Sequence, residues 1–337
     1  MLRALSVDEW LAVDEPIVDV RSPGEFARGH IPGAYSLPLF SNEERAIVGT
    51  MYKQQGRDPA LLEGLRLVGP KLAWIVEEAQ RIAPEGRIRV HCWRGGERSA
   101  SVAWLLGKAG FLDVAVLKAG YKSFRKTVLN TFEVPLDLRV LGGYTGTGKT
   151  ETLEQLRSRG EQVIDLEDFA SHKGSAFGAL GGSSQPSTEQ FENLLWYRMR
   201  QLVAGRRVWV EDESAMIGRV NIPAPFFDQM RRASMYFVDL PIEARTERLV
   251  RDYGRFPAEQ LASAMGRIAK RLGPQHHKAA MEALAQGDLH QVARTALHYY
   301  DKSYRFGVSR RDPSRVVELA VSDDDPAQLA QRLIELQ

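Results

Sequence analysis

Short apolar runs bounded by polar turns alternate, along the first part of the chain, with segments whose apolar residues recur at helical spacing. Ile17-Val18-Asp19-Val20, Arg89-Val90-His91 and Val114-Ala115-Val116-Leu117 read as buried strands, and Leu72 to Ile82 and Ser99 to Ala109 as amphipathic helices. A helix around Phe124 to Leu129 runs into a softer stretch, Asn130 to Pro135, where a domain boundary is expected. The alternation then restarts. Leu138-Arg139-Val140-Leu141 predicts a strand, followed by a glycine-rich turn and a helix through Leu156. Val163-Ile164-Asp165-Leu166, Val208-Trp209-Val210-Glu211 and Met235 to Asp239 predict further buried strands. Pro257 to about Tyr304 is helical in pattern, with breaks at Gly254, Gly273 and Gly287; Val316 to Val321 reads as a last strand and Ala327 to Leu336 as a closing helix. The Gly- and Ser-rich run 174–188 reads as a mobile loop near the second site described below. The expectation is two α/β domains, 1–130 and 137–337, each with a mainly parallel sheet covered by helices; the second carries a helical, partly basic segment at about 257–305.

Composition narrows the class. The 337 residues are too many for one ordinary domain and comfortable for two. With 44% hydrophobic and 26% charged residues the chain is of globular type, and a net charge of +2 means that a nucleic-acid partner must be met by a local basic patch. No apolar stretch is long enough to span a bilayer, and the acidic residues Asp8 and Glu9 interrupt any signal-peptide core, so a cytoplasmic location is expected. The single cysteine excludes an intrachain disulfide and a cysteine-rich zinc site.

That cysteine lies in His91-Cys92-Trp93-Arg94-Gly95-Gly96-Glu97-Arg98-Ser99, at a strand-to-helix junction. Successive backbone N–H groups and a helix N-terminus there favour a thiolate. Gly95 and Gly96 let the loop curl so that its amides point inward, and Arg94 and Arg98 offer fork-like donors to a tetrahedral oxyanion. Cys92, Arg94 and Arg98 are therefore the candidate catalytic residues, with Trp93, Gly95, Gly96, Glu97 and Ser99 completing a phosphate-binding loop.

A second loop, Gly143-Tyr144-Thr145-Gly146-Thr147-Gly148-Lys149-Thr150, fits the P-loop pattern G-x-x-x-x-G-K-[ST] in the strand-to-helix context that motif requires. Gly143, Thr145, Gly146, Thr147, Gly148, Lys149 and Thr150 are the candidate diphosphate cradle, with Lys149 as a point charge and the Thr150 hydroxyl suited to Mg²⁺. Glu211-Asp212-Glu213 follows a strand at the place of a metal- or substrate-positioning carboxylate; strand alternation puts Glu211 and Glu213 on one face and Asp212 on the other. Arg245, Arg248 and Arg251 recur at helical spacing, as a lid over phosphates or a solvated face. Residues 267–315 hold ten Lys/Arg against four Asp/Glu, interspersed with Tyr299, Tyr300, Tyr304 and Phe306; this suits a nucleic-acid surface or an ordinary charged helical face. His276-His277 has no partner carboxylate at metal spacing, so no firm metal site is expected.

Asp19-Val20-Arg21-Ser22-Pro23-Gly24-Glu25-Phe26 and Gly29-His30-Ile31-Pro32-Gly33-Ala34 resemble the signature of rhodanese domains, with Cys92 at the active-loop position. Leu117-Lys118-Ala119-Gly120-Tyr121 resembles their later double-glycine turn, with Ala119 replacing the first glycine. The Cys-x5-Arg spacing is one residue longer than the usual sulfurtransferase loop and matches dual-specificity phosphatases, whose loops hold a full phosphate. A rhodanese domain followed by a P-loop domain, together with Glu43-Glu44-Arg45, Val48-Gly49-Thr50, Tyr52-Lys53-Gln54, Lys173-Gly174-Ser175-Ala176-Phe177-Gly178 and Glu211-Asp212-Glu213-Ser214, is similar to the tRNA 2-selenouridine synthase family over nearly the whole chain.

The resemblance implies modification of the wobble uridine in the anticodon arm of tRNA. The 2-thiouridine there would be S-geranylated from geranyl diphosphate, and the geranylthio group then exchanged for selenium from selenophosphate. It implies that Lys149 and the loop amides hold the diphosphate, and that Cys92 accepts selenium as a Cys–Se intermediate and delivers it to the activated carbon. No tightly bound cofactor is expected, Mg²⁺ aside, and a selenophosphate-supplying enzyme is a natural partner. Three other readings stay open: a P-loop small-molecule kinase with an appended rhodanese sulfurtransferase domain, a Cys-x5-Arg phosphatase, and a non-catalytic tRNA-binding regulator.

Overall fold

The computed structural model describes residues 2–175, 177, 178, 180 and 184–336. The chain divides into two compact units, Met1–Thr131 with Glu192–Leu194, and Phe132–Phe191 with Leu195–Gln337. Among the described residues no helix is long and apolar enough to cross a membrane.

In the first unit, β1 (Leu2–Leu5), β2 (Ile17–Asp19), β3 (Tyr35–Ser36), β4 (Arg87–His91) and β5 (Asp113–Leu117) form one parallel sheet in the order β1-β5-β4-β2-β3. The inner strands read as unbroken apolar runs because helices cover both faces of such a sheet. Val18, Val90, Ile88 and Val116 pack with Ile75, Ala79, Val102 and Leu106 of the flanking helices. The helix Leu72–Ile82 falls where its spacing predicts, and Glu97–Lys108 begins two residues before the expected Ser99. The edge strands β1 and β3 carry too little apolar pattern to read from sequence. The helix Asn42–Gln55 is marked instead by its start: the Ser41 hydroxyl accepts the Glu44 N–H at 3.2 Å and the Glu44 carboxylate accepts the Ser41 N–H at 2.7 Å, a reciprocal cap.

In the second unit, β6 (Leu138–Gly143), β7 (Gln162–Ile164), β8 (Val208–Glu211), β11 (Ser234–Asp239) and β12 (Val316–Ala320) form a parallel sheet in the order β12-β11-β6-β8-β7. A small antiparallel ribbon, β9 (Met216–Ile217) and β10 (Val220–Asn221), stands beside it in sequence. Three helices, Ala258–Leu272, Pro274–Ala285 and Leu289–Val308, build the predicted helical segment around Leu261, Met265, Ile268, Leu284, Val292 and Ala296. Gly273 and Gly287 break it at φ +89° and +76°, backbone geometry that favours glycine.

One local expectation changes. The strand predicted over Val163–Leu166 stops at Ile164, because the Asp165 carboxylate accepts the Asp168 N–H at 3.0 Å and starts the helix Leu166–Ala170. Within the run expected to be a loop at 174–188, positions 176, 179 and 181–183 lie outside the described residues. Gln185 is tied down, its amide donating to Ala170 and Ile217 carbonyls at 3.1 Å each.

Candidate active sites

Cys92 follows β4 at the carboxyl edge of the first sheet, where open parallel sheets place ligands. It is 3% exposed, and its Sγ lies 3.2 Å from Ser99 Oγ on the first turn of the helix Glu97–Lys108. The Ser99 hydroxyl also reaches the Gly96 carbonyl at 3.2 Å. Gly95 bends the loop at φ +63°, and a Cβ there would meet the Leu117 carbonyl oxygen at 2.6 Å. The turn after β5 closes the loop from the other side. The Tyr121 and Lys122 amides donate to the Cys92 and Trp93 carbonyls at 2.8 and 3.0 Å. Gly120 adopts φ +62° against the loop amides, and Ala119, the residue replacing a glycine, is itself held at φ +60°.

The rhodanese-like signature forms the floor of this site. Arg21 and Asp19 are buried and paired, with Arg21 Nε 3.0 Å from both carboxylate oxygens and Nη2 2.6 Å from one. The guanidinium lies 3.7 Å from the centroid of the Tyr121 ring. Burial opposes ionisation of Asp19, but His91 at 3.8 Å and the Arg21 guanidinium outweigh it and hold the carboxyl below its ordinary range. Burial, with the Arg21 guanidinium beside it, pushes the His91 imidazole below its ordinary range against the pull of Asp19. Both His91 ring nitrogens lack a hydrogen-bond partner.

The candidate arginines differ in setting. Arg98, at the Cys-x5-Arg position, is turned to Glu25 of the signature, Nη1 to Oε2 2.9 Å. Burial would raise the Glu25 carboxyl, and Arg98 overcomes it to bring the group below its usual range. Arg94 is exposed. Glu97 points outward and pairs with Arg57 at 2.8 Å, while Trp93 packs toward Tyr121 with ring centroids 5.8 Å apart. The structure thus brings Cys92, Gly95, Gly96 and Ser99 together, and supplies Arg98 with a partner that fixes its direction.

In the second unit the loop Gly143–Thr150 joins β6 to the helix Lys149–Ser158, with Gly146 and Gly148 at φ +83° and +71°. Lys149 Nζ lies over the loop and donates to the Gly143 carbonyl at 3.1 Å. The Thr150 hydroxyl donates to Glu167 Oε2 at 3.3 Å, and the Glu167 N–H donates to Glu211 Oε1 at 2.8 Å. Glu167 and Glu213 both reach the backbone of Gly174, where a Cβ would stand 2.8 and 2.7 Å from their oxygens. Desolvation first, then the crowding by Glu167, raises the Glu211 and Glu213 carboxyls well above the ordinary range; burial raises Glu167 as well, with Lys149 opposing. Asp212 takes the opposite face, paired with the buried Arg311 at 2.7 Å. Among the described residues no group of three has metal-binding geometry. Glu167 was not singled out by sequence, since it belongs to no motif and reaches the site only through the fold.

The expected arginine lid divides. Arg245 is buried and fixed by Asp301, with both Nη–Oδ distances 2.8 Å, and it donates to the Thr145 carbonyl at 3.3 Å. Arg248 is buried between Asp324, at 2.9 Å from Nε, and Glu151, at 2.8 Å. Its guanidinium fills the space beside Gly148, where a Cβ would come within 2.7 Å of Nη2. These two residues brace the loop from beside it, each held by a carboxylate; Arg251 alone of the three is exposed, 3.3 Å from Asp324. The aromatics of the basic segment divide as well. Tyr304 packs on Tyr144 and Phe237 and donates its hydroxyl to the Asp212 carbonyl at 3.1 Å, whereas Phe306 is 66% exposed.

The geometry defines a rhodanese-like unit with a cysteine loop and a P-loop unit in one chain. Matches to family models agree: a rhodanese-like domain over residues 4–127 and the AAA domain of tRNA 2-selenouridine synthase over residues 136–325. The tRNA 2-selenouridine synthase of Pseudomonas fluorescens is 38% identical, over 87% of this chain and 88% of its own length. That of Bordetella bronchiseptica is 37% identical over 87% and 88%, and that of Aeromonas salmonicida 37% over 79% and 76%. The chain belongs to the tRNA 2-selenouridine synthase family.

Proposed function

We propose that the protein converts 2-thiouridine at the tRNA wobble position to 2-selenouridine in two steps, one at each loop. The observation that carries the reading is the presence, in one chain of this family, of a P-loop and a cysteine loop of Cys-x5-Arg spacing. At the P-loop, the thiocarbonyl sulfur attacks the first carbon of geranyl diphosphate, the C–O bond breaks and pyrophosphate leaves. Lys149 and the loop amides bind the two phosphates and stabilise the departing charge. The Thr150 hydroxyl and Glu167, 3.3 Å apart, would be the oxygen donors for a Mg²⁺ ion accompanying that charge.

At the second step selenium replaces the geranylthio group. The overall change consumes selenophosphate and water and yields geranylthiol and phosphate, so it is redox-neutral. Attack of the Cys92 thiolate on phosphorus keeps that balance: hydrogen selenide leaves, displaces geranylthiolate from C2, and water returns phosphate from the cysteine. Attack on selenium, giving a Cys–Se intermediate, would expel phosphite and leave a disulfide for an outside thiol to reduce. The Ser99 hydroxyl at 3.2 Å from Sγ is placed to stabilise the sulfur both as nucleophile and as leaving group.

The test separates the steps. Lys149→Ala should lose geranylation by about 100-fold or more, as when a transition-state charge stabiliser is removed, yet still selenate pre-geranylated tRNA. Cys92→Ser should geranylate at the normal rate and fail to selenate. A Cys92→Ser protein that selenates normally removes Cys92 from the mechanism. ATP-dependent phosphorylation of a small molecule, with no response to geranyl diphosphate, would return the P-loop to the kinase reading.

A further inference from the structure

Next to the P-loop of the second unit lies an open, mainly apolar cleft. Leu249, Val250 and Tyr253 from the helix Ile242–Tyr253 form one wall, and Val292, Ala293 and Ala296 from Leu289–Val308 form another. Among the described residues its side-chain polar atoms are the hydroxyls of Thr145, Ser175, Tyr253 and Tyr300, and the Tyr253 hydroxyl is hydrogen-bonded with Ser175. Among the described residues no carboxylate, carboxamide or cationic side chain lines it. A nucleobase requires donors and acceptors along its edge, and leaving them unpaired in such a cleft is costly. A hydrocarbon has no such requirement and gains from the burial.

The cleft is continuous with the diphosphate cradle. Thr145 belongs to both, and a Cβ on Gly146 would stand 3.4 Å from Leu249 Cγ. A ligand whose phosphates sit in the loop therefore has its next carbon atoms at the mouth of the cleft. We infer that this cleft is the subsite for the hydrocarbon tail of the prenyl diphosphate, with Leu249, Tyr253 and Ala293 setting the accepted chain length. The inference rests on the reading that the P-loop takes geranyl diphosphate. It adds where the tail lies and why an isoprenoid is preferred to a nucleotide. Sequence cannot show this site, because Leu249, Val292 and Ala296 have the spacing of ordinary helix core.

Calorimetric titration of the full chain with pyrophosphate, dimethylallyl diphosphate, geranyl diphosphate and ATP tests it. Geranyl diphosphate should bind at least about tenfold tighter than the five-carbon analogue, as expected for burying one more isoprene unit. Ala293→Phe, which fills the cleft, should weaken geranyl diphosphate by about tenfold or more and leave pyrophosphate within about twofold. Leu249→Ser should do the same by making the wall polar, and pyrophosphate binding reports whether each variant is folded. Equal affinities for pyrophosphate, dimethylallyl and geranyl diphosphates, or geranyl binding untouched by both variants, would overturn the cleft assignment while leaving the P-loop reading in place. ATP binding with no binding of geranyl diphosphate would instead overturn the substrate on which the assignment rests.

Discussion

Gly120 and Cys92 are locked together by their backbones: a Cβ on Gly120 would collide with the Cys92 carbonyl oxygen and stand 2.8 Å from the Arg94 amide nitrogen. The neighbours are backbone atoms, so they cannot rotate away, and the φ of +62° adds strain for any L side chain. Gly120→Ala should therefore displace the cysteine loop. We expect loss of selenation with geranylation retained, and a lower melting temperature; normal selenation by a folded Gly120→Ala protein contradicts this account of the loop.

Ala119 makes the opposite case. It holds φ +60°, where an alanine costs about 1 kcal/mol relative to glycine in the folded state. Glycine regains that strain and loses part of it to unfolded-state freedom. Ala119→Gly should be neutral or stabilising by up to about 1 kcal/mol in urea unfolding, with activity unchanged. A clear loss of stability would mean that the turn is not strained.

Asp19→Asn should be severe. It leaves the Arg21 guanidinium buried without its counter-charge, at a cost of about 3–5 kcal/mol. The Asp19 carboxyl is held below its ordinary range, so its contribution is present above the unfolded-state pKa and is lost as pH falls through the folded value. The stability gap between wild type and variant should accordingly be full at pH 7 and narrow below about pH 4.

Glu211 behaves with the reverse sign. Burial and the nearby Glu167 raise its carboxyl well above the ordinary range, so the folded state holds the proton more tightly than the unfolded chain. Its favourable contribution is full below the unfolded-state pKa and is lost as pH rises through the folded one. Glu211→Gln keeps an oxygen for the Glu167 N–H and removes the charge. Its melting temperature should exceed that of wild type at pH 7, with the difference shrinking as pH drops toward about 4. A variant less stable at pH 7 would show that the ionised carboxylate is instead compensated within the unit.

Both loops were legible because their chemistry is local. Cys92 to Ser99 and Gly143 to Thr150 each fit within one strand-to-helix turn, and glycines mark where the backbone must bend. The strand cores and the breaks at Gly273 and Gly287 were legible for the same reason. What sequence concealed depends on distant partners. Arg245 and Arg248 have the spacing of a solvated face, and their burial comes from Asp301 and Asp324, 56 and 76 residues away. Glu167 reaches Thr150 across 17 residues, through a helix whose aspartate cap cut short the expected strand. The edge strands β1 and β3 gain their form from pairing, which a single short segment does not encode.

The central claim is that two loops carry out two successive steps on one nucleotide, and nucleoside mass spectrometry tests it most directly. Transfer RNA containing 2-thiouridine is incubated with the protein and geranyl diphosphate, with and without selenophosphate. The account predicts an S-geranylated nucleoside in the first case and 2-selenouridine, formed at its expense, in the second. An unchanged nucleoside in both, from folded protein that binds the tRNA, would contradict it.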